Sequence, residues 1–170
     1  MGLMTLVQQR KLDILKRWIS LIFETYPPDV SDFLKLETDR FANPVGYTIT
    51  KSSETLFDEL IHGAENKTKI ISALDSIVRI RAVQDFNPSQ AIDFVFLLKK
   101  AVREELKINN EGFSGKVMPE ILKELELFQA RVDDLTSLAF DVYGKCREDI
   151  NRIKKSSANI SRTTKNRLKK

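Results

Sequence analysis

Apolar residues recur at intervals of three and four positions along almost the whole chain, a spacing that places them on one face of a helix. A first helix is predicted up to Pro27, because Pro27 and Pro28 remove backbone donors and clash with the preceding turn. A short second helix is predicted from Ser31, its N-cap, to about Glu37. Residues 39–47 contain turn formers and are predicted to form an irregular connector. The inward face of the first helix comprises Leu15, Trp18, Ile19, Ile22 and Tyr26.

Three more helices are predicted in the middle of the chain. The third covers about residues 52–62, and the fourth covers about residues 67–84. The fifth begins with Asn87 as the cap of a capping box and runs to about Lys107. Its run over residues 94–98 is apolar on every side, which a surface helix does not tolerate. We therefore expect the fifth helix to be the central element of the fold.

The last predicted helix is the longest. It follows a loop over residues 109–115 and opens at Pro119, and its apolar residues alternate steps of four and three over more than three heptads. At about 1.5 Å per residue the stretch from Ile121 to Ile153 spans roughly 48 Å, so its end is expected to project from the domain. This coiled-coil period predicts a homodimer. The candidate dimer seam consists of Leu125, Phe128, Val132, Leu135, Ala139, Val142 and Cys146.

The predicted fold class is all-α, because no segment shows sustained alternation of period two. One helical domain is predicted over residues 1–150. A basic, polar C-terminal tail is predicted over residues 151–170. Within it, residues 156–166 are polar and poor in helix formers, so the tail is expected to be frayed or disordered.

The charge is unevenly distributed along the chain. The net charge is +4, yet residues 152–170 alone hold eight bases and no acid, which leaves residues 1–151 with a net charge of −4. The basic footprint is therefore a terminal extension and not a patch on the fold. The single Cys146 forms no internal bridge, and no apolar run reaches the roughly 18 residues of a membrane span. These features predict a reducing, cytoplasmic location.

Catalytic and metal-binding chemistry finds little support in the sequence. His62 is the only histidine, and it stands in the last turn of a predicted helix just before a stop at Gly63, where a cation favours the helix dipole. Cys146 lies on the heptad stripe and reads as a buried thiol. The six glycines are scattered and form no phosphate-binding loop. We predict that the protein is not an enzyme and holds no metal or cofactor.

Two polar segments, residues 39–46 and 78–86, are candidates for a ligand or signalling site. Arg79, Arg81 and Gln84, together with free amides at the start of the fifth helix, suit an anionic or carboxyl-bearing ligand. In the favoured alternative, arginines of these segments pair with nearby acids and fix a helix corner. The candidate residues are Arg40, Asn43, Arg79, Arg81, Gln84 and Asp85. The acids of the alternative are Asp39, Asp75 and Asp85.

A family resemblance involves the same segments. Residues 39–46 (DRFANPVG), residues 77–100 (IVRIRAVQDFNPSQAIDFVFLLKK) and residues 139–148 (AFDVYGKCRE) resemble the RsbRD N-terminal domain, the sensory part of RsbR-type bacterial stressosome proteins, which are co-antagonists of the RsbT switch kinase. The likeness covers about residues 10–150. It implies a helical domain similar to non-haem globins, and the fourth helix accordingly lacks the proximal histidine that haem needs.

The resemblance also implies how such a domain works. Family members dimerise and pass a signal through a long final helix into an anti-sigma-antagonist (STAS) output domain, where this chain has 19 polar and basic residues instead. We therefore predict a non-enzymatic sensory or regulatory module that dimerises through its final helix and contacts a regulatory protein. In the alternative, the chain is a peripheral binder whose basic tail docks on an anionic membrane or nucleic acid.

Overall fold

A computed structural model of the chain describes residues 2–84, 86–109, 112–113 and 119–167. These ranges contain eight helices and one short antiparallel strand pair, which confirms the predicted all-α class. In chain order the elements are α1 (Leu3–Gln9), α2 (Lys11–Phe23), α3 (Pro28–Leu36), α4 (Pro44–Ile61), α5 (Lys67–Val83), α6 (Pro88–Ile92), α7 (Phe94–Glu105), β1 (Ile108–Asn109), β2 (Gly112–Phe113) and α8 (Pro119–Arg167).

The final helix α8 packs against several of the other helices. It contacts α1, α5, α6 and α7, while α4 packs against α5 and α2 packs against α7. The shared core contains the fully buried rings of Trp18, Phe57, Phe94 and Phe128. Trp18 and Phe57 meet edge to face, with their ring centroids 6.5 Å apart. The helices after Asn87 contact α2, α5 and α8, and their role as the central element stays a prediction.

The predicted connector over residues 39–47 is shorter than expected. Helix α4 begins at Pro44, whereas the sequence predicted its start near Ser52. Asn43 is the N-cap, and its side-chain oxygen accepts a hydrogen bond from the Gly46 N–H at 2.8 Å. Pro44 occupies the first helical position, which its fixed φ suits. The residues that indicated a turn are thus the start of a helix.

Helix α3 also starts earlier than predicted. Its first residue is Pro28, and Ser31, the predicted N-cap, lies inside the helix and is buried. The Ser31 N–H donates to the Pro27 carbonyl at 2.8 Å, so the helix is already formed at that point. Pro28 favours an early start because proline lacks only a donor that the first turn leaves unpaired in any case.

The predicted fifth helix is divided in two at Asp93. Helix α6 ends at Ile92 and α7 begins at Phe94. The apolar run over residues 94–98 is not buried on every side, because Phe96 is 48% exposed. Helix α7 is therefore an ordinary amphipathic helix that buries one face.

Two predicted helix boundaries are confirmed. Asn87 and Gln90 form a capping box, in which each side chain accepts a hydrogen bond from the other residue's backbone N–H. Gly63 follows the end of α4 with φ +101°, a left-handed conformation that glycine adopts without strain. The predicted loop over residues 109–115 contains part of a minimal hairpin, in which Ile108 pairs with Phe113.

The described part of the C-terminal tail is helical, whereas the sequence predicted a frayed or disordered segment over residues 156–166. Helix α8 contains 49 residues and continues to Arg167. Its hydroxyl side chains donate to carbonyls four residues earlier, as Ser161 does to Ser157 at 3.1 Å and Thr163 does to Asn159 at 3.0 Å. These bonds keep the polar side chains within the helix. Every residue from 151 to 165 is exposed.

No helix in the described ranges is both long and apolar enough to cross a membrane.

Candidate functional site

Arg81 is the most deeply buried of the predicted site residues. It lies in the last turn of α5, and its side chain is 0% exposed. Its Nε and Nη2 atoms donate to the Gln90 carbonyl at 3.1 and 2.6 Å, and Nη1 donates to Thr25 Oγ1 at 3.0 Å. Nη2 also pairs with Asp93 Oδ1 at 2.8 Å. One guanidinium group thus joins α5 to the end of α2 and to the joint between α6 and α7.

Two aromatic rings cover the same guanidinium group. The Arg81 Cζ atom lies 4.3 Å from the ring centroid of Phe86 and 5.6 Å from that of Tyr26, within range of cation–π attraction. The Tyr26 hydroxyl donates to Gln84 Oε1 at 3.1 Å. Burial raises the pKa of Tyr26, so the phenol stays protonated and serves as this donor.

The surroundings of Arg81 support the interpretation that it fixes a helix corner. Its donors bond to protein acceptors, and its carboxylate partner is Asp93. Asp85, the predicted partner, lies outside the described residues. Burial raises the pKa of Asp93, although Arg81 opposes that rise. Tyr26 joins Arg81 and Gln84 in one cluster, because its ring lies against Arg81 and its hydroxyl donates to Gln84.

Arg79 belongs to a different cluster, between α5 and α8. Its Nη2 atom lies 2.9 Å from Asp75 Oδ1, as predicted from their four-residue spacing, and 3.6 Å from Asp149 of α8. The hydrogen bond from Arg79 lowers the pKa of Asp75. The Cys146 thiol donates to Asp75 Oδ1 at 3.4 Å, and burial, with Asp75 beside it, raises the pKa of Cys146 to about 11. Cys146 is therefore a protonated thiol at neutral pH.

Arg40 and Asn43 lie away from both arginine clusters. Arg40 is exposed, and its Cζ atom lies 4.5 Å from the ring centroid of the exposed Phe41. Asp39, its predicted partner, instead accepts backbone N–H bonds from Phe41 and Ala42. Asn43 is only 2% exposed, and its Nδ2 atom donates to the Glu37 carbonyl at 2.9 Å. The five candidate residues that the structure describes therefore do not form one site.

The predicted dimer seam is covered by the chain's own helices, where the sequence predicted a second copy. All seven side chains are buried, because the inner face of α8 packs against the other helices. A heptad stripe serves intrachain packing as well as it serves a coiled coil. The buried residues are Leu125, Phe128, Val132, Leu135, Ala139, Val142 and Cys146.

The sequence does not predict a groove that lies on the outer side of α8. It lies between α5 and α8, has a volume of about 600 Å³, and is lined by residues that include Ile71, Phe140 and Gly144. Phe140 is 58% exposed and Ile71 is 44% exposed. Phe140 and Gly144 lie one turn apart and outside the buried stripe, a spacing that is visible in the sequence.

His62 lies on the surface at the end of α4. Its Nδ1 atom is 2.7 Å from the Asp58 carbonyl oxygen of the same helix. Among the described residues, no three His, Cys, Asp or Glu side chains come close enough together to hold a metal ion.

Comparison with known proteins gives one match. The family model described as "RsbT co-antagonist protein rsbRD N-terminal domain" matches residues 13–156. Searches of curated proteins and of solved structures returned no match. The matched segment begins in α2 and extends into the exposed part of α8.

Proposed function

The chain belongs to the RsbRD N-terminal domain family, and from this premise we propose that it is a non-enzymatic sensory and regulatory module that acts through contact with other proteins. The family is a stressosome-type sensory and regulatory domain. A cytoplasmic location fits the buried, unpaired Cys146, because a reducing compartment keeps such a thiol free.

Helix α8 is the observation that carries this proposal. Its residues from Ile121 to Cys146 contribute to the core, and the same helix continues without a break to Arg167. At about 1.5 Å per residue a helix of 49 residues is roughly 74 Å long. A shift or rotation of α8 among its neighbours therefore moves its exposed end as well, which is how packed helices transmit signals.

The exposed end of α8 is a suitable surface for a regulatory protein. Ile153 and Ile160 are 64% and 68% exposed, and they continue the spacing of the buried stripe beyond the body of the domain. Isolated exposed apolar residues are common, but two at helical spacing form a stripe that a partner helix can cover. We also propose that the module works as a homodimer. Docking of its bases on an anionic membrane or nucleic acid stays a prediction.

Two insertions after Asn151 test whether the orientation of this end matters. Two added alanines rotate the end of α8 by about 200°, whereas seven added residues return it to within about 20°. The probe is a stressosome-type protein with a STAS output domain, and the measurement is co-elution in size-exclusion chromatography. We expect the natural chain and the seven-residue variant to co-elute with it, and the two-residue variant to elute alone. Loss of co-elution by the natural chain, or equal behaviour of both insertions, contradicts the proposal.

A further inference from the structure

We propose that the outer face of α8 around Phe140 and Gly144 binds the same face of a second copy of this chain. This inference rests on the homodimer of the proposed function and names its surface. The chain's own buried stripe is not available for a partner, so a dimer through α8 needs a different face of the helix.

The first argument is the glycine. Gly144 lies in the interior of α8, where glycine is less favourable than any residue except proline. A Cβ atom added at Gly144 would meet no atom within 4 Å, so nothing inside the chain requires the missing side chain. We therefore explain this glycine by the close approach of another molecule to the helix surface at Gly144.

The second argument is shape. A two-fold dimer uses the same patch on both copies, so the patch has to fit itself. Here the exposed ring of Phe140 stands one helical turn from the open position at Gly144, and both line the same groove as the exposed Ile71. Across a two-fold axis, the Phe140 ring of each copy can enter the groove beside Gly144 of the other. The projecting ring and the groove are therefore complementary parts of one surface.

The third argument is charge. Asp141, Lys145 and Glu148 line the same groove and carry both signs of charge. In the described part of the chain, none of these three takes part in an ion pair. Lys145 of one copy can face an acid of the other, and the symmetric contact forms twice. Such a rim suits an identical copy better than a strongly acidic or basic partner.

The geometry of α8 favours this face over its exposed apolar end. Ile150, Ile153 and Ile160 continue the spacing of the buried stripe, so they lie on the side of α8 that faces the body of the domain. Two parallel α8 helices paired there would bring each body against the other helix. On the outer face the two helices lie side by side, with only α5 of each body at the edge of the contact.

Sedimentation velocity of the full chain over a range of concentrations tests the surface. Gly144→Leu fills the groove, and Phe140→Ser removes the ring. We expect the natural chain to be a dimer. For both variants we expect the dissociation constant of the dimer to be at least about tenfold higher than for the natural chain. Gly144→Leu should also keep or raise the melting temperature, because leucine is a better helix former, so a loss of the dimer cannot be ascribed to unfolding. The control, Phe96→Ser, removes a ring of similar exposure from α7 and should remain a dimer.

The possible results separate this inference from the proposed function. If Gly144→Leu and Phe140→Ser sediment as the natural dimer does, the surface is wrong while the dimer stands. Dissociation caused only by a double Ile153→Lys, Ile160→Lys variant would assign the interface to the exposed end of α8. A natural chain that is monomeric at every concentration overturns the inference and the homodimer together, whereas co-elution with a STAS-domain protein would still support the regulatory module.

Discussion

Replacing Arg81 by methionine measures how strongly one buried guanidinium group holds three helices together. Methionine keeps a long apolar stem but removes every donor, so the Gln90 carbonyl and Thr25 lose their bonds and Asp93 loses its partner. The Asp93 side chain is 42% exposed and can be hydrated, so the cost comes from the buried acceptors left unpaired, about 1–3 kcal/mol. A domain of ordinary stability has about 5–15 kcal/mol in total. We therefore expect a folded protein whose free energy of unfolding is lower by about 1–3 kcal/mol.

Arg79→Met is the matched control, because it makes the same change two residues away on the same helix. The Arg79 side chain is 43% exposed and pairs with Asp75 four residues earlier, so its loss should cost less than about 1 kcal/mol. Urea denaturation followed by circular dichroism gives both free energies of unfolding. At roughly 2–4 °C per kcal/mol for a chain of this length, Arg81→Met should lower the melting temperature by about 2–12 °C. Equal losses in the two variants would refute the role assigned to Arg81.

Two further predictions concern the cluster between α5 and α8. Burial beside Asp75 raises the pKa of Cys146 to about 11. A thiol reagent at mildly alkaline pH should therefore label the protein in urea but not when it is folded. Labelling is measured by mass spectrometry, and rapid labelling of the folded protein would contradict this prediction. The lowered pKa of Asp75 means that its pairing with Arg79 stabilises the fold above its unfolded pKa of about 4, and that this stability is lost as the pH falls. The difference in free energy of unfolding between the natural chain and Arg79→Met should therefore shrink towards about pH 3; a constant difference would contradict it.

The sequence predicts a helix boundary correctly where that boundary depends on neighbouring residues alone. The capping box at Asn87 and Gln90 and the stop at Gly63 depend on residues within one or two turns, and both are present. The connector was misjudged although Asn43-Pro44 has the same form as Asn87-Pro88. Asparagine before proline both breaks and starts helices, and the cap at Asn43 is supported by the Glu37 carbonyl, which accepts a hydrogen bond from its amide.

The candidate site was harder to predict because its contacts span long distances in sequence. The partners of Arg81 include Thr25 and Asp93, which lie 56 and 12 positions away, and no periodic pattern identifies them. The heptad stripe of α8 was recognised correctly as apolar, but its period does not say whether a second chain or the same chain covers it. The outer groove depends on where α5 lies beside α8, which only the packed structure provides.

The contact between Trp18 and Phe94 gives the domain its own spectroscopic label. Trp18 is the only tryptophan, and its indole N–H donates at 2.7 Å to the carbonyl of the first residue of α7. A hydrogen-bonded indole proton gives one separate peak in a proton NMR spectrum, and its position follows the length of that bond. Any event that moves α7 against α2 should therefore shift a single resonance. The joint between these helices can be followed in the unmodified protein, without an attached probe or isotope enrichment.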